Sequence, residues 1–137
     1  MNPAKEGGCG CGSDEKVTII FPCSGASNVG QITNELALRL TRDGLGAMSC
    51  LAGVGAHISG FVVSAKDCDR LVVLDGCPQR CAAKVFEHVG ITPHVYLMLT
   101  DHGFRKQHGV PVQVEEVERA RELVLTQIKE IPCSIVS

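Results

Sequence analysis

Two thiols, Cys77 and Cys81, follow a short apolar run at residues 71–74 that has the composition of a buried parallel strand. An Asp-Gly pair between them and the strand is a turn signal. Pro78 suits the first turn of a helix, where its missing N–H is not needed. A helix starting here would place Cys77 at its N-terminus and Cys81 about one turn later on the same side. The partial positive charge of a helix N-terminus favours thiolate, the form that binds metal or attacks electrophiles.

Two further cysteines stand where other predicted strands end. Cys23 follows a β-branched strand at residues 16–21, and Cys50 ends a short strand at residues 47–51. The carboxyl ends of parallel strands lie at one edge of a sheet, with neighbours about 4.8 Å apart, so their loops can bring four sulfurs together. Four thiolates are the ligand set of a structural zinc site or an iron–sulfur centre. We therefore predict a metal site with four ligands, Cys23, Cys50, Cys77 and Cys81.

The elements that position these thiols alternate between strand and helix. Apolar residues recur at helical spacing in residues 29–40, 58–66, 82–89 and 112–131. Ser27 or Asn28 can cap the first of these helices, and Gly44 and Gly90 are plausible helix stops. Residues 92–99 give a fourth strand, whereas the glycines in residues 52–56 predict a loop. This order predicts one α/β domain, a three-layer α/β/α sandwich of the Rossmann or flavodoxin-like class, with a mainly parallel sheet of about four strands.

Composition and domain limits narrow the classes of function. The chain has 137 residues, a formal net charge of -2, no Lys/Arg cluster and no apolar run near the ~20 residues that span a bilayer. We expect no nucleic-acid or membrane partner. Because the N-terminus lacks an apolar signal segment, we expect a cytoplasmic protein.

Residues 1–15 are predicted to be a flexible Gly/Cys leader with Cys9 and Cys11 in a C-x-C pair. Residues 16–131 are predicted to form the domain, and residues 132–137 are predicted to be a C-terminal tail that contains Cys133.

Several segments resemble the DGC-domain family, small zinc-binding proteins named for an Asp-Gly-Cys motif. The resemblance is carried by Cys-Ser-Gly-Ala-Ser at 23–27, Met-Ser-Cys-Leu-Ala-Gly-Val-Gly-Ala at 48–56, Ser-Ala-Lys at 64–66 and Asp-Gly-Cys-Pro-Gln-Arg-Cys at 75–81. It implies zinc as the cofactor and four chelating cysteines, which map onto Cys23, Cys50, Cys77 and Cys81. It implies no reaction, so whether the protein is an enzyme stays open, as does its oligomeric state.

Other functions remain open for the same thiols. In a thiol-based redox or sulfur-transfer enzyme, Cys23 would be the nucleophile and Cys50, Cys77 or Cys81 would resolve it. An iron–sulfur or metal-carrier module would use the same four cysteines. A phosphatase or arsenate-reductase-like loop is disfavoured, because the arginine such loops need six residues after Cys23 is replaced by Val29.

The remaining candidates are weaker. Cys68 stands between two aspartates that disfavour a thiolate, so we predict that it is a bystander. His102 and Asp101 follow the fourth strand and are candidates for an extra ligand or for proton transfer. His57 could ligate a metal, but we expect it to be a capping or surface residue.

Overall fold

The computed structural model describes residues 16–130, in which four strands form one sheet. The strands are β1 (Thr18–Pro22), β2 (Ala47–Met48), β3 (Arg70–Asp75) and β4 (Val95–Met98). Their order is β2-β1-β3-β4 and every pair is parallel. This is the order of a flavodoxin-like doubly wound sheet, and it confirms the predicted sheet.

Helices cover both faces of the sheet. They are α1 (Asn28–Arg42), α2 (Leu51–Gly55), α3 (Ser59–Asp67), α4 (Cys81–Val89) and α5 (Val114–Lys129), with a 3-10 turn at Leu99–His102. Side chains alternate along β3, so Val72 packs with α1 and α5 whereas Val73 packs with α2, α3 and α4. The result is the predicted three-layer α/β/α sandwich with one hydrophobic core on each face.

Helix ends follow local sequence signals. The Ser27 side chain caps α1 by accepting a hydrogen bond from the Gly30 amide at 3.3 Å. Past the end of α1, Gly44 has a φ of +83°, and Gly90 ends α4 with a φ of +76°. Both predicted stops are therefore confirmed.

The segment predicted as a glycine loop at residues 52–56 lies mostly in helix α2, and this prediction was wrong. A Cβ on Gly53 would lie 2.5 Å from the Phe61 ring, so this glycine serves the close approach of α2 to α3. Strand β2 is also shorter than predicted and ends at Met48. Cys50 therefore takes the position that precedes α2.

The predicted start of the helix at Pro78 was also wrong. Helix α4 begins at Cys81, and Cys77 and Pro78 lie in the turn that precedes it. The buried Asp75 carboxylate accepts hydrogen bonds from the amides of Ala82 at 2.8 Å and Ala83 at 2.9 Å. Because this carboxylate satisfies the first free amides of the helix from the end of β3, the helix starts one turn later than Pro78 indicates.

Within residues 16–130, no helix is long and apolar enough to cross a membrane. The predictions for the leader with Cys9 and Cys11, and for the tail with Cys133, fall outside the described residues.

Candidate functional site

The candidate site lies beside β1, at the point where the strand order of the sheet reverses. From β1 the chain runs to β2 on one side and then returns to β3 on the other side of β1. In open α/β sheets, ligands bind in the crevice at the carboxyl ends of two such strands. Cys23 directly follows β1 and Cys77 lies two residues past β3, so both thiols stand at this crevice.

A pocket of about 170 Å³ opens there, and three of the four predicted ligands line it. We call it the thiol pocket. Its walls are the loop between β1 and α1, the turn between β3 and α4, and part of the loop before α5. Its lining includes Cys23, Gly25, Ala26, Ser27, Asp75, Gly76, Cys77, Arg80, Cys81, Lys106 and His108.

Two glycines let the walls of the thiol pocket approach each other. A Cβ on Gly76 would lie 2.7 Å from the carbonyl carbon of Val29, in the first turn of α1. A Cβ on Gly30 would lie 2.7 Å from the Cα of Gly25. Real Cβ atoms do not tolerate such distances, so the backbone around Cys77 can approach α1 only with glycine at these positions.

The aspartate of the Asp-Gly-Cys motif fixes one side of the thiol pocket. Asp75 is 1% exposed and, besides the two α4 amides, accepts a 2.8 Å hydrogen bond from the Tyr96 hydroxyl. Burial and the Asp75 carboxylate raise the pKa of Tyr96 well above its usual range. This carboxylate therefore sets the start of α4 and with it the place of Cys81.

Asn28 fixes the side of the thiol pocket that the loop before α5 forms. Its side-chain nitrogen donates to the carbonyl of Arg105 at 3.0 Å, and its Oδ1 accepts from the Gln107 amide at 2.6 Å. Its own amide donates to the carbonyl of Gln107 at 2.9 Å. These three bonds hold the loop before α5 so that Lys106 and His108 line the thiol pocket.

The fourth predicted ligand, Cys50, lines a neighbouring groove instead. This Cys50 groove measures about 920 Å³ and is lined by, among others, Cys23, Met48, Cys50, Phe61 and Val85. Cys23 borders both cavities and is half-buried, whereas Cys50 is exposed. The Cys23 sulfur lies 3.6 Å from the Thr33 hydroxyl, which donates a hydrogen bond to the Gly30 carbonyl at 2.7 Å.

The thiols at these two cavities are donors that suit zinc. They are divided between the thiol pocket and the Cys50 groove and do not converge on one point. Among residues 16–130, no group of three or more His, Cys, Asp or Glu side chains is arranged to hold a metal ion. Cys23 is the residue that both cavities share, so a four-thiol site would require the Cys50, Cys77 and Cys81 side chains to turn towards it. The four-ligand assignment stays a prediction.

The weaker candidates lie elsewhere. Cys68 packs against the core beneath α2, α3 and α4, its sulfur donates to the Ala65 carbonyl at 3.4 Å, and burial raises its pKa. His102 and Asp101 are exposed on the 3-10 turn after β4 and line neither the thiol pocket nor the Cys50 groove. His57 is exposed, with a φ of 62°.

Sequence reasoning missed the cationic side of the thiol pocket. Arg80 gave no local signal beyond its place between the two cysteines, and Lys106 stood in a loop with no pattern. Asn28 offered one clue, since it was a candidate helix cap, but its contacts to a loop 77 residues away have no sequence signature.

Comparison with known proteins finds a matching family and a relative. A family model described as DGC domain matches residues 19–124. The chain is also 38% identical over 106 residues to the Anaerobic and virulence modulator AnvM of Pseudomonas aeruginosa. The aligned region covers 77% of this chain and 81% of the relative. No solved structure matches the chain.

Proposed function

The chain belongs to the DGC-domain family, and from this premise we propose that it is a zinc-binding domain whose ligands are Cys23, Cys50, Cys77 and Cys81. The observation that carries the proposal is the position of Cys23. Its side chain borders the thiol pocket of Cys77 and Cys81 and also the Cys50 groove. Cys23 is therefore the thiol through which the two sets of donors would meet.

The chemistry of the donors supports zinc. Thiolates suit zinc well, and four of them form a closed structural site. Zinc bound there would link the loop after β1, the turn after β3 and the starts of α2 and α4, so its binding energy would stabilise this edge of the sheet. The protein supplies the positions of the donors, chiefly through Asp75, which sets Cys81, and through Gly76, which admits Cys77 beside α1.

The test is the zinc and iron content of the purified full chain, read together with mass-spectrometric mapping of the thiols that alkylate before and after a chelator. We expect about one zinc per chain and four thiols protected until the chelator is added. Cys77→Ser should bind zinc roughly 10-fold or more weakly, because a hydroxyl is a poor zinc ligand. The matched control is Cys68→Ser, at a cysteine that lines neither cavity, and it should retain the metal.

Three results would contradict the assignment. Equal zinc retention in Cys77→Ser and Cys68→Ser would remove Cys77 from the ligand set. Iron with a visible absorption band would identify an iron–sulfur or metal-carrier module instead. Absence of metal would remove the zinc proposal altogether.

A second candidate, a thiol-based redox or sulfur-transfer enzyme, rests on the same position of Cys23. Cys23 is half-buried and borders both cavities, which contain the other cysteines. Its thiolate would attack a substrate disulfide and release one substrate thiol, and a second cysteine would then displace the other substrate thiol and leave a disulfide with Cys23. Fast alkylation of Cys23 in a protein purified without metal would favour this function. Slow alkylation there, no faster than that of Cys68, would exclude it.

A further inference from the structure

Thr33 is a polar residue buried beside the thiol that the two cavities share. It lies in the second turn of α1 and is 0% exposed. Its Oγ1 lies 3.6 Å from the Cys23 sulfur and donates a hydrogen bond to the Gly30 carbonyl at 2.7 Å. A buried hydroxyl is costly to desolvate unless it forms hydrogen bonds, so these partners matter for the stability of the site.

The turn that follows Cys23 is fastened to the same hydroxyl. The Ser24 amide donates to Oγ1 of Thr33 at 3.3 Å, and the Ser24 side chain donates to Oδ1 of Asn34 at 2.9 Å. Ser24 has a φ of 53°, in the left-handed region that a serine rarely adopts. These two bonds to α1 therefore stabilise a strained turn and fix the backbone that carries Cys23.

The hydrogen-bonding capacity of the Thr33 hydroxyl is fully used in this arrangement. A hydroxyl has one hydrogen to donate and two lone pairs that accept. The hydrogen goes to the Gly30 carbonyl, one lone pair accepts the Ser24 amide, and the other faces Cys23. A protonated Cys23 completes the set by donating its S–H to Oγ1 across the 3.6 Å separation.

A Cys23 sulfur that serves as a metal ligand has no hydrogen to donate, so the same contact must then run in the opposite direction. The Thr33 hydrogen can turn to the sulfur by rotation about the Cβ–Oγ1 bond, without movement of any heavier atom. The Gly30 carbonyl loses that hydrogen but keeps a partner, because within a helix it also accepts from the amide four residues later. The rotation therefore costs little free energy.

We propose that Thr33 is a positioning residue for Cys23. Its hydroxyl holds the sulfur at the boundary of the two cavities and donates its hydrogen to that sulfur when Cys23 is a ligand. The donated bond rests on the proposed zinc site, whereas the orientation of Cys23 depends only on contacts within the chain. Groups that hydrogen-bond to a ligand typically change metal affinity about 10–100-fold.

The zinc affinity of the reduced full chain, measured by competition with a chromophoric chelator, tests the donated bond. Thr33→Val keeps the shape but removes the hydroxyl, and it should bind zinc about tenfold more weakly than the wild type. Thr33→Ser keeps the hydroxyl and should stay within about threefold of the wild type. Packing alone would give the reverse order, because serine leaves a methyl-sized cavity and valine does not.

Thr41→Val is the matched control in the same helix. The Thr41 hydroxyl also donates to a helix carbonyl, that of Ala37 at 2.8 Å, and also accepts a backbone amide, that of Met48 at 2.9 Å. Within residues 16–130 it forms no hydrogen bond with a cysteine. Thr41→Val should therefore bind zinc as the wild type does, and an equal weakening in Thr41→Val and Thr33→Val would overturn the proposal.

A second measurement needs no metal. Three-bond NMR couplings to the Cys23 β-protons report which rotamers the side chain occupies. In the reduced, metal-free protein, Cys23 should occupy mainly one rotamer in the wild type and in Thr33→Ser, and should spread over several in Thr33→Val. The same distribution in all three proteins would overturn the positioning role.

The two measurements separate this inference from the zinc site. Equal zinc affinity in Thr33→Val and the wild type would overturn the donated bond and leave the zinc site standing. A wild type that binds no zinc would refute the metal site and with it the donated bond. The rotamer distributions would then decide by themselves whether Thr33 positions Cys23.

Discussion

Asn28 and Gln107 are joined by two reciprocal hydrogen bonds. The Asn28 amide donates to the Gln107 carbonyl at 2.9 Å, and the Gln107 amide donates to Oδ1 of Asn28 at 2.6 Å. Asn28 is 4% exposed, so these bonds lie away from competing water. This contact joins the start of α1 to the loop before α5 and makes one composite wall of the thiol pocket.

Replacing Asn28 with alanine should therefore loosen that wall. Asn28→Ala removes both side-chain hydrogen bonds and leaves the Gln107 amide without its acceptor, at an expected loss of about 2 kcal/mol in the free energy of unfolding. Urea denaturation measures the loss, and hydrogen exchange should show faster exchange at residues 105–108. The control Asn34→Ala removes one exposed bond to the Ser24 hydroxyl and should cost less than about 1 kcal/mol. An equal loss in both variants would contradict the anchoring role.

Asp75→Asn should be among the most destabilising changes at the site. An amide group has one acceptor oxygen, so its N–H₂ donor would face the donating amide of either Ala82 or Ala83. We expect a loss of about 3 kcal/mol in the free energy of unfolding, since charge-assisted bonds to two helix amides are weakened. Tyr96→Phe is the matched control because it removes a single bond to the same carboxylate, and it should cost about 1 kcal/mol. A smaller loss in Asp75→Asn than in Tyr96→Phe would refute the capping role.

Alkaline pH should destabilise the protein through Tyr96. Its pKa in the folded state lies above the ordinary value of about 10, so the folded protein holds the phenolic proton more tightly than the unfolded chain. The stabilisation is complete below pH 10 and is lost as the pH rises from there towards the pKa of the folded state. Denaturation midpoints at pH 8 and pH 10.5 should therefore differ more in the wild type than in Tyr96→Phe. Identical pH dependence in the two proteins would contradict this assignment.

Two Gly→Ala substitutions should have effects of opposite sign. In Gly76→Ala the new methyl group would lie 2.7 Å from the backbone of Val29, so the turn that contains Cys77 must shift, at a cost of about 2 kcal/mol. Gly60 lies in α3 with no atom within 4 Å of the added Cβ, and Gly60→Ala should stabilise the protein by about 0.5 kcal/mol. Thermal denaturation compares the two, and stabilisation by both would show that the backbone around Gly76 is not confined.

The sequence alone determined the order of the strands and of every helix except α2, and the edge of the sheet at which Cys23, Cys50 and Cys77 lie. Apolar runs marked β1 and β3, the spacing of Val117, Ala120 and Val124 marked the buried side of α5, and Ser27, Gly44 and Gly90 marked helix ends. These signals are local, because a cap or a periodic stripe depends on residues within a few positions of one another. They also placed Cys23, Cys50 and Cys77 after strands, which is the basis of the metal-site prediction.

Only the tertiary structure decided how the thiols are divided between the thiol pocket and the Cys50 groove, and which residues surround them. The start of α4 depends on Asp75, a side chain outside the helix, and the role of Gly53 depends on the Phe61 ring of another helix. Lys106 reaches the thiol pocket because Asn28, far away in sequence, binds the loop that carries it. Such contacts form when distant segments pack together, and their energies depend on burial and geometry that no local pattern of residue types records.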